Sequence, residues 1–272
     1  MPRGAEAVEA AIRAANERGE AAFIPFIEGA DPDPGLTEDL LWTLAEAGAE
    51  VIELGFPFSD PLADGPTIQE AAQRALRHRP TIPFFLEMIS RMRRAGFEVP
   101  VVMMGYLNPF FRLGLRRFAK EARKAGLDGA IIPDLPLEEA GEWLREAKSR
   151  KLAAVMLAAP TTPPERLEKI AQASSGFLYY VSITGITGER DRLPDDLALK
   201  LDLARELSPV PVAVGFGISK PSQVKNLAPF ADAIVVGSAI VKLISRLADD
   251  PKRMLREVGD FVRSLKEATV RS

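Results

Sequence analysis

Eight short apolar runs, each bounded by Gly, Pro or Asp, recur along the 272-residue chain and constrain its fold more than any other feature. They are AFIPFI (22–27), VIELGF (51–56), VPVVMMGY (99–106), GAIIPD (129–134), AAVMLAA (153–159), GFLYYVSI (176–183), VPVAVGFG (210–217) and ADAIVVGS (231–238). Runs that are apolar on both faces need cover on both, which suits parallel strands under helices and not antiparallel strands with a wet face. The intervening segments, LTEDLLWTLAEAGAE and LEEAGEWLREAKSRK among them, are apolar at three- and four-residue spacing, the stripe of a crossover helix. Several end at Gly just before the next run, the usual helix stop. Eight β-then-α units without a linker or a break in composition predict α/β class: a single (β/α)8 TIM barrel over 1–272, with extra helices at the N-terminal and C-terminal ends, the latter from about 251 to 266. A doubly wound open sheet is the alternative; it would want a GxGxxG turn after the first strand, and FIPFIEGADP has none.

Composition excludes several kinds of function. The net charge of -3 is spread over interspersed signs with no basic stripe, which argues against a nucleic-acid surface. Cys is absent, which removes thiolate nucleophiles and Cys-type zinc sites. The single His78, in RALRHRP, reads as a solvated loop or helix-end residue and cannot build a metal site alone. Acid–base work therefore falls to carboxylates, Tyr or Lys. No apolar segment reaches about 18 residues, and the charged, amphipathic N-terminus does not look like a signal sequence; a cytoplasmic protein without membrane contact is expected.

Within VIELGFPFSDPLADGP an acid, Glu53, interrupts a run that otherwise looks buried. Strand alternation places Glu53 opposite Ile52 and Leu54, so it points into the barrel if those two meet the helices. There its pKa would rise and it could both give and take a proton. The alternative is a structural charge, although no Lys or Arg lies in any of the eight runs to pair with it. Two long connections, 57–83 and 184–194, follow the second and sixth runs, at the barrel face where active sites sit. The first holds Asp60 and Asp64, as turn chemistry or as a shaped lid. Small residues at the ends of the last three runs, TGITGE (184–189), GFGIS (215–219) and VGSAI (236–240), suggest a phosphate cradle, or ordinary glycine turns. Tyr179 shares parity with Phe177 and Val181 and is an inward polar aromatic or core packing. Phe26, Tyr106 and Phe216 could form an aromatic wall; by themselves they read as core.

From about 23 to 245 the chain resembles the tryptophan synthase α subunit family, on FIPFI followed by ADP, ELGFPFSDPLADGPTIQ, YLNPF, PDLPLEE, SITGITG, GFGIS and GSAIVK. The resemblance implies retro-aldol cleavage of indole-3-glycerol phosphate to indole and glyceraldehyde 3-phosphate, with no metal or organic cofactor. It implies Glu53 as general acid–base residue and Asp64 as acceptor of the indole N–H. Tyr179 would line the site, Phe26, Tyr106 and Phe216 would border the indole, and Gly188, Gly217, Gly237 and Ser238 would hold the phosphate. Thr187 would reach Asp64 on closure. It further implies a pyridoxal-phosphate β subunit that consumes the indole, in an α2β2 assembly, met partly through the loop containing Pro57 and Pro61. Another phosphate-binding barrel isomerase or epimerase, or a mainly regulatory binding subunit, are the other readings; the former more often use metal with His, or a Lys Schiff base.

The chain departs from the family after its first strand. Where a Thr, a small residue and Gly-Asp-Pro are usual, it has Glu28, Gly29, Ala30, Asp31 and Pro32. Glu28 is expected to be solvated just past the strand; the alternative is a third carboxylate near the mouth.

Overall fold

Each of the eight apolar runs becomes a strand, and one of them is divided. The computed structural model describes residues 3–181, 195–215 and 217–271. Its strands are β1 (Ala22–Glu28), β2 (Ile52–Gly55), β3 (Val101–Met104), β4 (Gly129–Ile131), β5 (Ala153–Val155), β6 (Leu157–Ala158), β7 (Leu178–Val181), β8 (Val212–Gly215) and β9 (Ala233–Val236). All pairs are parallel, in the order β5-β4-β3-β2-β1-β9-β8-β7-β6. The fifth run is split at Met156: β5 pairs with β4, β6 pairs with β7, and the Met156 carbonyl accepts from the Tyr179 N–H at 3.0 Å. The two ends of the strand order are thus one stretch of chain. The sheet curls round to meet itself as a (β/α)8 TIM barrel, which an open doubly wound sheet does not do.

Alternation along the strands sorts side chains into two layers. Ile52 and Leu54 face the helices in the outer core, while Val51, Val102, Ile131, Val155 and Val235 fill the barrel. The helix Ala5–Glu17 closes the end of the barrel away from the strand C-termini, with Val8, Ile12 and Ala15 fully buried against that inner layer. At the other end of the sequence, the helix Pro251–Glu267 starts at Asp250, whose side chain accepts from the Arg253 N–H, and packs on the helix Pro34–Glu46. Among the described residues no helix is long and apolar enough to cross a membrane.

One carboxylate ties the N-terminal helix to the barrel. Asp128, fully buried just ahead of β4, accepts from the Gly4 N–H at 2.7 Å, the Val101 N–H at 2.9 Å and Arg93 Nη2 at 2.7 Å. Arg93 Nε donates to the Gly126 carbonyl and its Nη1 to the carbonyls of Phe97 and Val99. Removing one member of a buried pair strands the other's charge, so Asp128→Ala is expected to lower unfolding free energy by about 3–5 kcal/mol, measured by urea denaturation.

Candidate active site

A cavity of about 320 Å³ opens at the C-terminal ends of the strands, with Phe26, Glu53, Asp64, Tyr179, Gly237 and Ser238 among its walls. Glu53 projects inward from β2, side by side in register with Phe26 of β1. It is 1% exposed, its Oε2 has no hydrogen-bond partner, and no cation among the described residues pairs with it. Burial, and secondarily the charge of Asp64, push its carboxyl up to about 8. Among the described residues the structural-charge alternative finds no counter-ion.

Asp64 is set by its loop, not by the barrel. Its Oδ2 accepts from the Tyr106 hydroxyl at 2.9 Å, and that hydroxyl accepts from the Ala63 N–H at 2.9 Å. Gln69, on the helix Pro66–Leu76, donates to the Asp64 carbonyl at 2.8 Å. Phe58 stacks on the Tyr106 ring, with centroids 5.2 Å apart. The loop is thereby a shaped wall and not a free turn. Burial raises the Asp64 pKa, and the Tyr106 hydrogen bond opposes that rise by favouring the ionised form. Tyr106 itself is not part of the cavity wall; it stands behind Asp64 and holds it.

Tyr179 projects inward from β7, and its phenol lies over Gly215, where a Cβ would come within 2.7 Å of the hydroxyl. Burial first, then the charges of Glu53 and Asp64, push its pKa well above the usual value, so it is a neutral phenol able to donate. Gly237 precedes the helix Ser238–Arg246, which has no side-chain cap, leaving its first N–H groups open toward the cavity. A Cβ on Gly237 would approach the Phe26 ring to 3.2 Å, so the glycine serves close packing there. Gly217 also lines the cavity, at φ 72°. Phe216, Thr187 and Gly188 lie outside the described residues.

Glu28 is not solvated, contrary to expectation. It is the last residue of β1, 4% exposed, and points inward beside Gly55, because that glycine supplies the space a side chain on β2 would have filled. Burial, then Asp64, then Asp31 raise its pKa well above the usual range. His78 is exposed, as expected, with Nε2 3.0 Å from the Pro32 carbonyl oxygen. The sequence reading missed Gln69, the anchoring role of Tyr106, and Arg74, which grips the buried Asp31 through two bonds of 2.8 and 2.9 Å. Gln69 in the first turns of a helix after an Asp-Gly-Pro turn was a local signal; a pairing across 43 residues had none. Among the described residues no cluster of acids and His is suited to a metal.

Fold and cavity together define a (β/α)8 barrel protein with its candidate site at the strand C-termini. The family model described as tryptophan synthase alpha chain matches residues 12–270. The chain is 47% identical over 247 residues to the tryptophan synthase alpha chain of Geobacter sulfurreducens, covering 91% of this chain and 92% of that one. It is 45% identical over 255 residues to that of Citrifermentans bemidjiense, covering 94% of each. Among solved structures, tryptophan synthase subunit alpha from Legionella pneumophila superposes with a TM-score of 0.89 at 36% identity, over 96% of this chain and 97% of that one. The chain belongs to the tryptophan synthase alpha chain family.

Two outcomes follow from this geometry. In Tyr106→Phe the Asp64 carboxyl loses its donor and titrates at higher pH than in the parent, read by carbon NMR. Glu53 binds its proton more tightly folded than unfolded, so it contributes stability below about pH 4.5 that is lost as pH rises through about 8. Glu53→Gln is therefore expected to be more stable than the parent at pH 8, on the order of a few kcal/mol, and the gap to close near pH 4.

Proposed function

We propose that the chain cleaves indole-3-glycerol phosphate into indole and glyceraldehyde 3-phosphate, with Glu53 and Asp64 as the catalytic pair. The observation that carries the assignment is Glu53: an unpaired acid, buried in a cavity wall, with a pKa of about 8. In its neutral form it gives a proton to indole C3. As carboxylate it then takes the proton of the hydroxyl on the adjoining glycerol carbon; the carbon–carbon bond breaks, its electron pair returns to the ring, and the acid is restored. A group that titrates at about 8 is mostly protonated near neutral pH with its carboxylate still within reach, which suits both directions.

Asp64 accepts the indole N–H and stabilises the positive charge on the ring while C3 is protonated. A carboxylate already held by Tyr106 needs little reorganisation to do so. The phosphate lies against the open N-terminus of the helix Ser238–Arg246, at Gly237 and Ser238, with Gly217 and, outside the described residues, Gly188. Phe26 and Tyr179 border the substrate, and the parts that the resemblance implies for Phe216 and Thr187 fall outside the described residues. The acid–base cycle is complete in electrons and protons without metal or organic cofactor.

A β subunit is the partner that consumes indole, in an α2β2 assembly in the cytoplasm. Pro57 is buried and Pro61 half-buried, so the apolar side chain this loop offers outward is Leu62, 93% exposed. Indole release by the isolated chain, compared with release after adding a β subunit, separates a working lyase from a mainly regulatory subunit. Glu53→Gln is expected to lower kcat by about 10²–10⁴-fold while substrate still binds; full activity in that variant would end the assignment. In the parent, kcat should fall as pH rises past about 8 and neutral Glu53 is lost.

A further inference from the structure

The reaction above uses two carboxyl groups, and the mouth of the barrel holds a third that it leaves idle. Glu28 closes β1 opposite Gly55, the last residue of β2 and the start of the loop that carries Asp64. It is 4% exposed, and its Oε1 has no hydrogen-bond partner among the described residues. The space at Gly55 is shared by the Phe26 ring and Glu28: a Cβ there would lie 2.7 Å from the ring and 2.9 Å from Glu28 Oε2.

The surroundings decide its charge. From its own loop it meets Asp31, and from the loop after β2 it meets Asp64, the stronger of the two negative influences. Arg74, on the helix Pro66–Leu76, is the nearby cation, but it is bound bidentately by Asp31, while His78 sits on the Pro32 carbonyl. Glu53 lies further down the same inner face, also without a cation. Of two acids three residues apart, one therefore has a guanidinium, while among the charged groups of the described residues only carboxylates act on the other. An ionised group in the second position would be buried and unpaired, a costly state that protonation removes.

We propose that Glu28 is a positioning residue for Asp64: a neutral carboxyl, walled in behind the cavity, whose O–H dipole keeps the negative charge of the mouth on Asp64. The proposal rests on the reading of Asp64 as the charge that faces the indole nitrogen. Were Glu28 to carry the charge instead, repulsion would drive a proton onto Asp64 and remove the acceptor from the substrate. The proton belongs to the pair, and the closed environment at Gly55 gives it to Glu28.

The test uses the purified chain, alone and with a β subunit, as parent, Glu28→Leu and Glu28→Gln. The infrared difference spectrum between parent and Glu28→Gln at neutral pH should contain the carbonyl band of a protonated carboxyl; carboxylate bands in its place would overturn the proposal. In the pH profile of kcat/KM, Glu28→Leu should move the acidic limb, set by Asp64, to higher pH, with about tenfold loss at a fixed pH below the limb for each unit of movement. Glu28→Gln, uncharged but still a donor, should bring the limb back toward the parent. An unmoved limb in folded Glu28→Leu sinks the proposal; if circular dichroism shows that variant unfolded, Glu28→Met takes its place. Absence of indole release by the parent would sink the lyase assignment instead, and the infrared result would still decide on Glu28.

Discussion

Holding a carboxyl group in an apolar barrel without a counter-charge is the constraint on which the rest of this structure depends. Glu53 stays unpaired because no strand beside it carries a Lys or Arg and, among the described residues, no cation reaches it. That arrangement gives the acid its elevated pKa and makes the native state weaker at neutral pH than an apolar residue would leave it. The surplus that tolerates it comes from elsewhere: the two-layer core, the helix that closes the far end of the barrel, and the Asp128 ion pair beneath it.

Asp64 is held by the opposite strategy. It is half-buried on a loop and stays ionisable because Tyr106 donates to it, while Gln69 and the stacked Phe58 keep that loop in shape. Two carboxyl groups facing one cavity thus receive different environments, one from a rigid strand that withholds partners and one from a loop that supplies them. Opposed environments of this kind divide proton transfer from charge stabilisation.

The fold was legible because two-sided apolar runs have few solutions, and the alternation around Glu53 exposed it as a break in pattern. What sequence could not carry is information held between strands. The split at Met156 arises because the fifth run must serve two neighbours in turn, a demand set by closure of the barrel and invisible within AAVMLAA. Glu28 was misread for the same reason: its position at the end of a run suggested solvent, whereas its burial depends on the missing side chain of Gly55, 27 positions further along. Tyr106 was identified as a candidate aromatic but not as a donor, since its partner lies 42 residues away. Local patterns gave the acids; the cross-strand register gave their states.

The N-terminal helix has a consequence for the order in which the molecule can be made. Its docking bonds run from Gly4 to Asp128, from the Ala5 N–H to the Lys151 carbonyl and from the Asn16 side-chain amide to the Asp232 carbonyl, so the helix cannot be fully seated until the chain has been made as far as the start of β9. Until then Val8, Ile12 and Ala15 present an apolar stripe to solvent. The growing chain therefore carries its own stopper in hand, and seats it only once the strands that need closing exist.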